Sequence, residues 1–323
     1  MYMDVKDKRI LEELSSDCRL SVTRIAKSAG ISREVADYRI KRLLKSGIIS
    51  AFCADISLEE LGYTKNVVYL EINSAGKSME EQIIERLAEN KLVGWLTASA
   101  GKWSFIFDIY SRNTTHLGSL LRELRQSLGK NLGKYEVVTL ERCHYFRSKF
   151  FSKTINAKEI RINSYGIDET DLLIMSLLRN NARLDCVSLS KKAKITPEAV
   201  SRRIKLLKAS GIITSFYIVS DISKFGFTHY NIQVNLENTT EEKERKLGGY
   251  LRQHASVSFV HYPISALVVE FGVFVKDPGE LRSFIQELRN SFPEMIKIKD
   301  ISLFYEEITG NFLPEGVFTS KAA

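Results

Sequence analysis

The recognisable chemistry of this 323-residue sequence is concentrated on two short stretches. In "SREVADYRIK" (Ser32–Lys41) the outward positions at helical spacing are Arg33, Glu34, Asp37, Tyr38 and Lys41, with Arg42 beside them. In "TPEAVSRRIK" (Thr196–Lys205) they are Pro197, Glu198, Ser201, Arg202 and Lys205. Guanidinium, ammonium, carboxylate and hydroxyl groups side by side on one helix suit hydrogen bonding to base edges and phosphates. Arg202 has the fork to pair with guanine and Tyr38 does not. Asp37 either accepts from cytosine N4 or repels phosphate. Lys27, Lys191 and Lys192, one helix earlier, are placed for phosphates, and Ser32 and Thr196 open the two reading helices. Arg39 and Arg203 recur beside inward positions, where the stem packs and the head pairs with an acid.

Bond-making chemistry finds less support. The histidines His116, His144, His229, His254 and His261 are scattered, and no Ser/His/Asp order or glycine-rich phosphate loop is present. Cys18, Cys53, Cys143 and Cys186 form no C-x-x-C pair, so reduced thiols in a cytoplasm are expected, with no metal and no cofactor. No apolar run approaches the ~18 residues of a membrane span, and the N-terminus is charged from its fourth residue.

The elements that hold these side chains occur twice. "RIKRLLKSGII" (Arg39–Ile49) returns as "RIKLLKASGII" (Arg203–Ile213), and the register extends far beyond it. Asp4, Asp7, Ile10, Leu14 and Arg19 fall on Asp168, Asp171, Ile174, Leu178 and Arg183. Gly62 falls on Gly226, Phe107 on Phe271, and Glu123-Leu124-Arg125 on Glu287-Leu288-Arg289. A period this long means two homologous halves rather than a solenoid.

Each half opens with three predicted helices: Asp4–Leu14, Ser21–Ser28, and one starting at the N-cap Ser32 and stopped by Gly47. The tight turn "AGIS" before the third makes a helix-turn-helix, with Val35, Ala36, Ile40 and Leu43 inward. A strand follows, then the order β-α-β-β-α-β, with strands at Asn66–Asn73, Val93–Ala100, Trp103–Ser111 and Tyr135–Leu140 and helices at Met79–Asn90 and Thr114–Leu128. That order is the ferredoxin-like split unit. The expected fold is α+β in two tandem units: reader 1–53, ferredoxin-like domain 63–148, linker 149–166, reader 167–217 and ferredoxin-like domain 227–310.

The formal charge of +8 sits on the readers. Residues 1–50 hold eleven Lys and Arg against seven Asp and Glu, and residues 164–214 hold nine against five, so each contributes +4. Phosphate binding through counterion release requires such a distribution. Double-stranded DNA is the partner this points to.

The "D-x-x-D-x-x-I-L" opening, "GIS…RIKRLLKSGII" and "IS…LG" (Ile56–Gly62), with their counterparts in the second half, resemble the Lrp/AsnC family of transcription regulators. The resemblance implies DNA binding through the helix-turn-helix, pairing of the ferredoxin-like sheets, and in many members an amino-acid effector between those modules. Most members carry one unit per chain, so this chain resembles a fused pair. Its sheets would pair within the chain, as a covalent pseudo-dimer, or between chains in a homo-oligomer. The family's effector turn, Gly-x-Tyr-Asp-like, corresponds to Gly101-Lys102-Trp103-Ser104, which keeps the Gly and loses the Asp; Ser265-Ala266-Leu267-Val268 loses both. Gly101, Trp103 and Ser104 thus mark a degenerate effector site, with Trp103 either packing or pocket wall.

Two other readings remain open. Haem-biosynthesis enzymes of the sirohaem decarboxylase kind resemble the same family and need His or Arg around a tetrapyrrole; here His261 falls on Thr97, so the halves share no sheet histidine. An interaction protein with decayed readers is the third, against which the retained basic charge argues.

Overall fold

The computed structural model describes residues 3–73, 76–146, 149–151, 165–265, 267–309 and 313–319. Most of the linker expected at 149–166 lies outside the described residues. The first half runs α1 (Val5–Ser16), α2 (Val22–Ala29), α3 (Arg33–Lys45), β1 (Ile49–Ile56), β2 (Thr64–Ile72), α4 (Lys77–Glu89), β3 (Val93–Ala100), β4 (Phe105–Ser111), α5 (Thr114–Leu128) and β5 (Leu132–Tyr145). The second runs α6 (Glu169–Asn180), α7 (Cys186–Ala193), α8 (Pro197–Ala209), β6 (Ile213–Ser220), β7 (Thr228–Leu236), α9 (Glu241–Gln253), β8 (Val257–Pro263), β9 (Val268–Val275), α10 (Pro278–Ser291) and β10 (Ile296–Thr309), closed by the short α11 (Gly316–Thr319). The halves superpose in sequence to within a residue at each element end.

The chain divides into two compact bodies, each drawn from both halves. One holds the readers (1–62, 147–221 and 310–323) and the other the sheets (63–146 and 222–309).

In the reader body, each first helix is closed by a capping box, Asp4 with Asp7 and Asp168 with Asp171. Arg39 reaches back from α3 to Asp4 at 2.8 Å and Asp7 at 2.9 Å, and Arg203 repeats this from α8 to Asp168 and Asp171. The acid partners expected for these two arginines are therefore present. Apolar packing is continuous behind them, with Ile10, Leu14, Ile25, Leu43, Ile174, Leu178 and Leu207 all fully buried. Val35 does not belong to that core. It is 41% exposed, because Ala36, one position on, turns inward instead.

The two readers are joined by β1 and β6, an antiparallel pair with Cys53 opposite Tyr217 and Phe52 opposite Ile218. Arginines clasp across this ribbon. Arg19 donates to the carbonyls of Ala182 (2.5 Å) and Leu184 (2.9 Å), and Arg183 donates to those of Cys18 (2.5 Å) and Leu20 (3.3 Å). Each guanidinium also lies over a phenylalanine of the other half, Arg19 over Phe216 and Arg183 over Phe52, at 5.3 Å. Burial against this junction pushes the Cys18 thiol up to about 12.

In the sheet body each half has strand order 4-1-3-2, the ferredoxin-like arrangement. The halves join edge to edge, β5 with β8 and β10 with β3, into a closed eight-stranded barrel. Pairing of the sheets is thus within the chain, and closure leaves no free edge. The last strand of each half is longer than expected, since its C-terminal part (Arg142–Tyr145 in the first) has a partner only in the other half. Helices cover the outer faces over apolar cores built on Val68, Leu70, Phe105 and Phe107 in one half and Ile232, Val234, Phe271 and Val273 in the other.

The inner faces of the barrel hold a buried polar network among apolar side chains. Lys65 and Asp108, 5% and 2% exposed, form an ion pair at 2.6 Å. Lys65 also donates to the Tyr145 hydroxyl, which lies 3.2 Å from His261 Nε2. His261 Nδ1 is 3.1 Å from Glu270, and Asn231 donates to the same carboxylate at 2.5 Å. Burial alone would lower the Lys65 pKa; Asp108 outweighs it and holds the ammonium charged.

Candidate nucleic-acid interface

The reading helices begin where the sequence puts them. Ser32 accepts from the Val35 amide at 3.3 Å and Thr196 from the Ala199 amide at 3.2 Å. Both hydroxyls therefore act as N-caps. The turn before each helix needs a residue in the left-handed region. The first copy uses Gly30 (φ 62°) and the second uses Lys194 (φ 55°).

On α3, Arg33, Glu34, Tyr38 and Lys41 are exposed and Asp37 is half-buried. Lys41 is not free, since its ammonium pairs with Asp37 at 2.6 Å one turn away. The Glu34 carboxyl is held below its usual range by backbone and Ser32 hydrogen bonds at the helix start, so it stays ionised. Arg42 is turned inward. Its Nη2 lies 2.6 Å from the buried Asp7, which makes it a strut of the reader rather than a free contact.

On α8, Glu198, Arg202 and Lys205 are exposed and Ser201 is half-buried. The position of Arg42 is taken by Leu206, 41% exposed, and the second bond to the buried acid comes instead from the Tyr165 hydroxyl to Asp171 at 3.1 Å. Lys27, Lys191 and Lys192 are exposed on α2 and α7. Val35, which the helical spacing put inward, and Leu206, which the sequence reading did not single out, are both exposed apolar groups on the reading helices. The signal for Leu206 was its alignment with Arg42, which the helical spacing put outward.

The turn expected to hold an effector is filled. Trp103 is 4% exposed and packs on Tyr69 with ring centroids 5.7 Å apart. Ser104 Oγ accepts from the Ile72 amide at 3.2 Å, and a side chain added at Gly101 would meet the Ile301 carbonyl oxygen at 3.3 Å. Trp103 is packing. Among the described residues no group of His, Cys, Asp and Glu is arranged to hold a metal ion, and no helix is long and apolar enough to cross a membrane.

Comparison with known proteins fits this geometry. Residues 3–44 match the AsnC-type helix-turn-helix domain and residues 167–214 match a winged helix-turn-helix DNA-binding domain. The HTH-type transcriptional regulator LrpA of Pyrococcus horikoshii is 31% identical over 137 residues, which is 42% of this chain and 91% of that one. An uncharacterised HTH-type transcriptional regulator of Pyrococcus furiosus is 34% identical over 134 residues, 42% of this chain and 84% of that one. Both relatives therefore correspond to one half. Among solved structures, the siroheme decarboxylase NirDL covers 97% of this chain and 96% of its own, with a TM-score of 0.63 at 14% identity, so the two share the fold of the complete two-unit chain.

Proposed function

Since the chain belongs to the Lrp/AsnC family of transcription regulators, we propose that it is a sequence-specific DNA-binding regulator whose two unlike readers engage two unlike half-sites. The observation that carries this is the pairing of two exposed basic reading helices in one compact body, clasped by Arg19 and Arg183. A single-unit relative must dimerise to present two readers, whereas here both come from one chain. Identical subunits dictate palindromic operators, and non-identical readers remove that constraint. In this reading Arg33, Glu34, Asp37, Tyr38 and Lys41 face one half-site, and Glu198, Ser201, Arg202 and Lys205 face the other. Lys27, Lys191 and Lys192 hold phosphates, and the work is done in the cytoplasm.

Selection of sites from a random duplex pool tests the proposal. The expected outcome is an asymmetric site whose halves are separated by about one helical turn. Absence of any site preferred over non-specific duplex at ~0.2 M salt refutes it. An amino-acid effector at Gly101–Ser104 would require Trp103 to leave its packing.

One feature favours a second reading, an enzyme of haem biosynthesis. The inner chain Lys65–Tyr145–His261 puts a hydroxyl between an ammonium and an imidazole inside a barrel whose fold is shared with NirDL. A Soret shift on adding a tetrapyrrole to the full chain supports that reading, and an unchanged spectrum removes it.

A further inference from the structure

Both readers need a left-handed residue to turn from the second helix into the reading helix, and the two copies meet the need differently. Gly30 does so without a side chain, whereas Lys194 does so with a long charged one, at φ 55° and ψ 39°. That conformation crowds a Cβ against the following carbonyl, and lysine has no short polar group to offset the cost as asparagine has. The charge differs less than the residues do. Beside Gly30 the empty place is taken by Lys6 of α1. Its Nζ is 3.5 Å from the Gly30 carbonyl oxygen and 3.2 Å from where a Cβ on Gly30 would stand.

In register, Lys6 corresponds to Thr170 and Gly30 to Lys194. Each turn therefore carries one such lysine, supplied by the first helix in one reader and by the turn itself in the other. Neither ammonium is ion-paired with a carboxylate among the described residues. A charge kept at one place by two different residues, once against backbone strain, answers to something at that place. A cation there would complement the carbonyl end of the preceding helix. That end already has Lys27 on α2, and Lys191 and Lys192 on α7, so it needs no further one. The alternative is outside the chain. In a helix-turn-helix the earlier helix crosses the duplex backbone and the reading helix enters the groove, so the turn between them runs beside phosphates.

We propose that Lys6 and Lys194 are equivalent backbone-phosphate ligands of the two readers, each set at the turn into its reading helix. The inference rests on the DNA-reading proposal and adds to it one sequence-independent contact in each half-site, which contributes affinity without base choice. It also accounts for the strain at Lys194, where fold stability is given up for affinity.

Fluorescence anisotropy of the full chain, on a selected duplex and on an unrelated one over a range of potassium chloride concentrations, tests this. Lys6→Gln and Lys194→Gly should each flatten the slope of log K against log salt by about 0.9, equivalent to about eightfold weaker binding at ~0.1 M salt, equally on both duplexes. Denaturant titration of Lys194→Gly, expected to be more stable than the parent, separates a lost contact from a lost fold. Adding Thr170→Lys to Lys194→Gly should restore the slope, because it rebuilds the Lys6–Gly30 arrangement in the second reader. Lys8→Gln removes an exposed charge elsewhere on α1 and should leave the slope unchanged. An unchanged slope in Lys6→Gln or Lys194→Gly, a loss confined to the selected duplex, an equal loss in Lys8→Gln, or no recovery with Thr170→Lys overturns the inference while the regulator proposal stands. A parent chain that binds neither duplex overturns both.

Discussion

Asp37 is the most informative single residue for the DNA-reading proposal. It lies on the reading face of α3, where its carboxylate pairs with Lys41 at 2.6 Å; the equivalent place on α8 is Ser201, and Lys205 is exposed. An exposed pair one helical turn apart is worth only ~0.3–0.5 kcal/mol, so it does not keep Lys41 from a phosphate. What persists on the duplex is the negative charge, which offsets one phosphate-neutralising cation. Asp37→Asn should therefore add about one effective contact, steepening the slope of log K against log salt by about 0.9, equivalent to about eightfold tighter binding at 0.1 M salt. Ser201→Asp imports the same charge into the second reader and should weaken binding by a similar factor. Fluorescence anisotropy on a selected duplex between 50 and 400 mM potassium chloride, concentrations chosen for a large slope, measures both. An unchanged slope refutes the charge argument. Weaker Asp37→Asn binding, confined to duplexes with a cytosine at one position, shows that Asp37 reads that base.

Three further outcomes are expected. Arg203→Met leaves Asp171, fully buried, with the Tyr165 hydroxyl and the Asp168 backbone amide, and should cost about 3–5 kcal/mol. Arg39→Met leaves Arg42 at 2.6 Å from Asp7 and should cost about 1–2 kcal/mol; hydrogen exchange in α6 and α1 compares the two, and equal costs refute the strut role of Arg42. Lys194→Gly, at φ 55°, should raise stability by ~0.5–1 kcal/mol in a denaturant titration, whereas a loss would show that the left-handed turn is not strained. His261 has a folded-state pKa below its ordinary 6.5 because burial, then Lys65, disfavours the cation, so the unfolded chain binds the extra proton first. Stability should fall as pH drops below about 6.5, by at most ~1.4 kcal/mol per pH unit from this group, and His261→Gln should flatten that fall.

Much of the reader body was legible in the sequence, because local signals fix it. Capping acids, the Ser32 and Thr196 caps, the stop at Gly47 and 3.6-residue spacing act within a few residues of one another. Arg39 and Arg203 were legible as struts because they recurred beside inward positions. Arg42 was not, since its Asp7 partner lies 35 residues away and only the folding of α1 onto α3 brings the two together. The barrel interior was hidden more thoroughly. Lys65, Asp108 and Glu270 each stand alone in apolar strands, "TKNVVYL", "FIFDIYS" and "VVEFGVFV", and a lone charge in such a run was the available cue.

By itself the sequence determined two homologous halves, the type of nearly every element, the basic readers and the difference between their reading faces, since these depend on residue type and short-range spacing. Only the tertiary structure decided that like pairs with like, reader with reader and sheet with sheet. It also decided that the scattered His261 meets Tyr145 from the other half, and that Trp103 shuts one turn while Leu267 leaves the other open. These contacts join residues far apart in the chain, and edge-to-edge closure of the barrel, which spacing along the chain does not encode, sets which of them form.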